Sequence, residues 1–107
     1  MVKGPPRRGE VWWVERPDEK RRPYLLLTRD SALGVLDRWI AVPATRSARH
    51  IATHVHLDQA DGMPQACALA LDGVRTLPPW AFVERICALG PGPMDAVCTA
   101  LRVATGC

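Results

Sequence analysis

The sequence predicts a mainly β protein with short helices, built as a small, strongly curved β-barrel followed by a C-terminal α-helix. Two patterns predict it. Short runs rich in aromatic and β-branched residues recur along residues 10–89, each bounded by Gly, Pro or charged turn residues. After Gly90-Pro91-Gly92-Pro93 the apolar residues change to helical spacing. The chain has 107 residues, of which 48% are hydrophobic and 23% charged, enough for one core and too ordered a composition for wholesale disorder. We therefore expect a single domain over residues 1–107, with residues 1–7 a loose basic lead-in.

Glu10-Val11-Trp12-Trp13-Val14-Glu15 has strand composition, and its two tryptophans point to opposite faces. One is core; the other packs at a dimer interface or stacks on a base, and the interface is preferred. Arg16–Arg21 reads as a charged loop broken by Pro17. Pro23–Thr28 is nearly all apolar, as a central strand buried on both faces would be, with Pro23 at its start where no ladder donor is needed. Asp30–Gly34 forms a helical turn capped by Asp30 or Ser31.

Trp39–Thr45 is a third strand, and Thr53–Leu57 a fourth that places His54 and His56 on one face. Asp58–Pro64 is a turn, Cys67–Leu71 a short strand and Phe82–Leu89 the last one. Met94, Val97, Cys98 and Leu101 then draw one apolar stripe on a helix, punctuated by Pro93 and Gly106.

Fourteen Lys+Arg against eleven Asp+Glu give a formal charge of +3, which permits a polyanionic partner without demanding one. The N-terminus has no apolar signal-peptide region, and no stretch is long enough for a membrane helix, so a cytoplasmic protein without membrane association is expected. The four cysteines form no CxxC pair and read as buried or inert thiols of a reducing compartment. His54 and His56 are spaced for two metal ligands, but no neighbouring Cys or acid completes a set. No metal site is expected, and the histidines are read as solvent-facing or lining the rim of a binding site.

Four segments in order carry a resemblance: Arg8-Gly9-Glu10-Val11-Trp12-Trp13-Val14, Arg22-Pro23-Tyr24-Leu25-Leu26-Leu27-Thr28, Val42-Pro43-Ala44-Thr45 and Leu71-Asp72-Gly73-Val74-Arg75-Thr76-Leu77. Together they make the chain, over roughly residues 7–105, resemble the MazF/PemK toxins. That resemblance implies an SH3-like barrel of the CcdB/MazF/Kid type, homodimerisation, and sequence-specific cleavage of single-stranded RNA without metal or other cofactor. It also implies neutralisation by a cognate MazE-like antitoxin, whose disordered tail lies along the RNA groove.

Metal-free RNA cleavage uses the 2′-hydroxyl as an internal nucleophile. The protein must help remove its proton, stabilise charge on the phosphorane and see the leaving 5′-oxygen protonated. A guanidinium fork suits the second task, and the resemblance makes Arg22 that group, with Thr45 the hydroxyl beside it. Arginine is a poor base, so Asp18 and Glu19, in the loop before Arg22, are the candidate carboxylates for the proton; their alternative is a solvated charge run. Arg21, Arg46, Arg49 and His50 are candidate RNA-binding residues, with Lys3, Arg7, Arg8 and Lys20 extending the positive field. Asp72 and Arg75 are placed either in a turn or against RNA. A gyrase-poisoning toxin of the CcdB type and a non-catalytic RNA- or protein-binding barrel are the alternative functions.

Overall fold

The computed structural model describes residues 4–107, so Lys3 lies outside the described residues. The elements in order are β1 (Glu10–Arg16), β2 (Glu19–Leu26), α1 (Asp30–Leu33), β3 (Trp39–Thr45), β4 (His54–Leu57), β5 (Cys67–Ala70), β6 (Arg75–Leu77), β7 (Phe82–Ala88) and α2 (Pro91–Thr105). Single 3₁₀ turns at Gln59–Asp61, Leu71–Gly73 and Pro79–Ala81 join the later strands.

Gly9 turns the chain into β1. Its φ of +91° suits glycine, its N–H donates to Leu26 O at 2.9 Å, and its carbonyl accepts from Leu89 N at 2.9 Å. Next to it Glu10 is buried; it accepts from Arg7 N (2.9 Å) and Trp12 Nε1 (3.0 Å) and pairs with Arg85 (3.2 Å). A buried carboxylate so bonded is satisfied rather than a liability.

β1 and β2 form an antiparallel hairpin with Trp12 opposite Tyr24 and Val14 opposite Arg22. The loop expected over residues 16–21 is only the two-residue turn Pro17-Asp18, and Glu19 to Arg22 are drawn into β2. Pro23 is consequently the fifth residue of its strand rather than the first. It is tolerated because β2 pairs with β3 only from Tyr24 to Leu26, so Pro23 lies just past that ladder.

β3 is the organising strand. One side pairs with β2; the other pairs first with β6, through Trp39 to Ala41, and then with β5, through Ala44 and Thr45. Pro43 sits at the handover between the two outer partners, where a missing donor costs least. β6, only Arg75–Leu77, was not expected from the sequence; it exists because β3 offers it an edge.

The strand order is β4-β5-β3-β2-β1-β7, with β6 added on β3. Both faces are covered. Val11, Leu25, Val42 and Leu69 meet Val97 and Ala100 of α2 on one side; Trp12, Tyr24, Leu26, Trp39, Leu77 and Phe82 pack on the other. The continuous apolar run in β2 is thus a strand buried on both faces, as expected. Leu25 and Leu26 are fully buried, and each contributes about 1.5–3 kcal/mol by leaving water.

Bulges in β1, at Val11/Trp12 and Trp13/Val14 against β7, sharpen the twist. The hydrogen-bonded ring of a closed barrel is not completed: β4 and β7 end the strand path, and α2 packs on β4 and on the turn after β5. α2 starts at Pro91, three residues before Met94, with Gly90 as its cap; it ends at Gly106, whose N–H donates to Arg102 O at 2.8 Å. No helix among the described residues is long and apolar enough to cross a membrane.

Candidate active site

The antiparallel register that pairs Leu26 with Ala41 and Tyr24 with Pro43, continued by two residues, sets Arg22 opposite Thr45. Two side chains 23 positions apart in the chain are thereby brought to one place. The Arg22 guanidinium donates through Nη2 to Ala44 O at 2.9 Å and lies 5.8 Å from the Tyr24 ring centre. This fixes the fork at the end of β3. Thr45 Oγ1 accepts from Ser47 N at 3.1 Å, which leaves the hydroxyl proton free to donate elsewhere.

Both residues line an open cavity of about 370 Å³. Lys20, Arg21 and Arg46 join Arg22 to make one wall strongly cationic, and Trp13 and Pro23 supply apolar surface. Met63, Pro64, Gln65 and Cys67 complete the lining. These four were not expected from the sequence, since they reach Thr45 only through the pairing of Thr45 with Ala68 across β3 and β5. Burial, reinforced by the Asp61 charge, pushes the Cys67 thiol up, so it meets the cavity as a neutral group.

Arg21 is held where it stands. It bonds Glu15 at 3.1 Å and Glu84 at 2.7 Å, and its guanidinium covers Trp13 at 4.7 Å from the ring centre. Trp12, by contrast, is in the core. Glu19 pairs with Arg16 (3.6 Å) and Arg75 (3.4 Å) and shares a small cleft with Arg22 and Tyr24. Asp18 is at the exposed hairpin tip, outside both clefts.

The remaining candidates lie off the main cavity. Arg49 gives its backbone to two histidines: its N–H donates to His54 Nδ1 at 3.1 Å, and its carbonyl is 2.9 Å from His56 Nε2. His50 stacks on His56 with ring centres 5.0 Å apart. The three histidines therefore brace the segment that follows Thr45. Among the described residues no group of three His, Cys, Asp or Glu side chains is placed to hold a metal. Asp72 accepts from Thr53 Oγ1 at 2.6 Å, tying the turn after β5 to the start of β4.

Arg8 reaches Leu27 O and, through its N–H, Asp30; like Arg7 it is taken up in structure away from the cavity. All four cysteines are free; Cys67 is buried, Cys87 and Cys98 half-buried, and Cys107 exposed.

The sequence compares with known proteins as the geometry does. Residues 7–105 match the family described as PemK-like, MazF-like toxin of type II toxin-antitoxin system. The chain is 40% identical over 103 residues to the probable endoribonuclease MazF5 of Mycobacterium tuberculosis, covering 95% of this chain and 94% of that protein. It is 35% identical over 102 residues to probable endoribonuclease MazF2 of the same species, covering 94% and 99%. Among solved structures, Mycobacterium tuberculosis toxin MazF-mt6 superposes with a TM-score of 0.82 at 26% identity, over 91% of this chain and 96% of that one. A cationic cleft built on the β2–β3 register, in a fold shared with these toxins, accompanies a sequence match along nearly the whole chain: it belongs to the PemK/MazF family of type II toxin–antitoxin toxins.

Proposed function

We propose that the chain is a metal-independent, sequence-specific endoribonuclease that cuts single-stranded RNA, including messenger RNA, and so stops translation and growth. The 2′-oxygen attacks the adjacent phosphorus, the bond to the 5′-oxygen breaks, and the products are a 2′,3′-cyclic phosphate and a 5′-hydroxyl. Arg22 holds the non-bridging oxygens as charge develops, and the free Thr45 proton donates to the same group. Glu19, in the small cleft that adjoins Arg22, leaves its pairing with Arg16 and Arg75 to take the 2′-hydroxyl proton and returns that proton to the departing 5′-oxygen; Asp18 at the hairpin tip lines neither cleft. Arg46 and Lys20 position the flanking phosphates, and the Trp13 ring faces the cavity as a stacking surface.

The observation that carries this reading is the juxtaposition of Arg22 and Thr45 at one open, cation-lined cavity. Arg21, Arg49, His50, Asp72 and Arg75 are peripheral RNA contacts in this reading, since each already has a protein partner or position outside the centre. The protein acts in the cytoplasm as a homodimer, and its cognate antitoxin blocks the cleft with a disordered tail of acidic or apolar character. Neither a gyrase target nor a purely binding role has a specific observation behind it.

The test is incubation of the purified chain with single-stranded RNA in EDTA. Cutting that leaves cyclic phosphate and 5′-hydroxyl ends is expected. Intact RNA, or cutting only after Mg²⁺ is added, overturns the mechanism.

A further inference from the structure

We propose that Gln65 is the side chain that reads the base next to the scissile phosphate, an inference that rests on the ribonuclease reading above. Gln65 stands on a rim shared by two cavities. One holds Arg22 and Thr45; the other, of about 360 Å³, is walled by Asp58, Gln59, Ala60 and Ala66. The second cavity has a carboxylate on its wall and no cation, so it suits a base rather than a phosphate. A strand whose phosphate sits on Arg22 passes over Gln65 to place a base there.

The chemistry of the walls points the same way. Lysine and arginine hold phosphates and carry no sequence information. Bases of single-stranded RNA are told apart by hydrogen bonds to their splayed edges, and a carboxamide offers one donor and one acceptor side by side for such an edge. Gln65 is exposed, and among the described residues its amide has no protein partner; neighbouring Gln59 spends its Nε2 on Pro64 O at 3.3 Å.

The turn that leads to Gln65 is tied by its own hydrogen bonds. Asp58 Oδ1 accepts from Ala60 N at 2.8 Å, Asp61 Oδ2 accepts from Asp58 N at 3.0 Å, and Gly62 turns the chain at φ +99°. Met63 is then anchored in the core, 3.7 Å from Cys87 Sγ. A reader held by such a platform loses little freedom when it binds.

The experiment is cleavage of a randomised single-stranded RNA library by the wild-type chain, Gln65→Ala and Gln65→Glu, with the cut ends sequenced and thermal melts run to confirm folding. Both variants should still cut. Preference at one position beside the cut should fade in Gln65→Ala, with kcat/KM on the best wild-type sequence down about tenfold to a hundredfold and little change on sequences differing at that base. Gln65→Glu, an acceptor only, should move the preference there toward bases presenting an amino group. An unchanged motif in both variants, or a uniform loss on every sequence, overturns the assignment while leaving the ribonuclease reading intact. Failure of the wild-type chain to cut overturns the ribonuclease reading and this inference with it.

Discussion

The Arg22 side chain is exposed and, among the described residues, makes one hydrogen bond, to the carbonyl of Ala44. Its removal separates chemistry from stability. Arg22→Ala should lower kcat by about 10²–10³-fold, the size of losing one donor to developing oxyanion charge, while the unfolding free energy moves by about 1 kcal/mol or less. Single-turnover cleavage and urea unfolding measure the two, and normal cutting by the variant would remove Arg22 from the centre. Arg22 and Thr45 could be picked out from sequence because each sits in a recognisable local segment, Arg-Pro-Tyr and Val-Pro-Ala-Thr. Gln65 and Met63 could not. No local pattern marks them, and their proximity to Thr45 comes from a strand pairing between distant segments. The partners of Glu19 and Arg21 were equally hidden, since ion pairs to Arg75 and Glu84 span more than fifty residues.

At the level of elements, strands set by local hydrophobic patterning were readable, and those set by a distant edge were not. β1, β3 and β7 follow their aromatic and β-branched runs closely. β2 was expected to start at Pro23 because a run of charged residues looks like loop; the tight Pro17-Asp18 turn keeps those residues paired to β1 instead. β6 is too short to announce itself without β3.

The turn between β4 and β5 yields a sharp test. A Cβ on Gly62 would stand 2.7 Å from Cys87 Cβ, and its φ of +99° is unfavourable for any other residue. Gly62→Ala should therefore cost about 2 kcal/mol or more in urea or thermal unfolding. Gly34→Ala is the control: its φ is −86° and a Cβ there meets nothing within 4 Å. That variant should be neutral or gain up to about 1 kcal/mol. Equal losses at both positions would refute the strain argument.

Over the whole molecule, the core that stabilises the fold reaches the cleft through Ala44 and Cys67 of one cluster and Tyr24 of the other, which flank Thr45 and Arg22. The curvature was legible from strand number and spacing; the open strand path, with α2 packed on β4, was not, because apolar spacing shows that a helix packs but not against which strand. Salt dependence reports how many charges engage RNA. Lys20, Arg22 and Arg46 line the cavity without an acidic partner among the described residues, whereas Arg21 has two. Three neutralised phosphates on a single strand predict a slope of about −2 in log K against log salt, per protomer. Binding of an uncleavable oligonucleotide, with the 2′-hydroxyl at the cut site removed, measures it; a slope beyond about −4 would mean a wider footprint than this cleft.

The clamp of Glu15 and Glu84 on Arg21 adds a consequence. Here the molecule supplies its own counterions, so a passing polyanion gains no ion release at that position and must first evict two carboxylates. Charge alone therefore holds a guest less firmly at Arg21 than at the cations without an acidic partner, while the Trp13 ring beneath that guanidinium offers a surface for stacking.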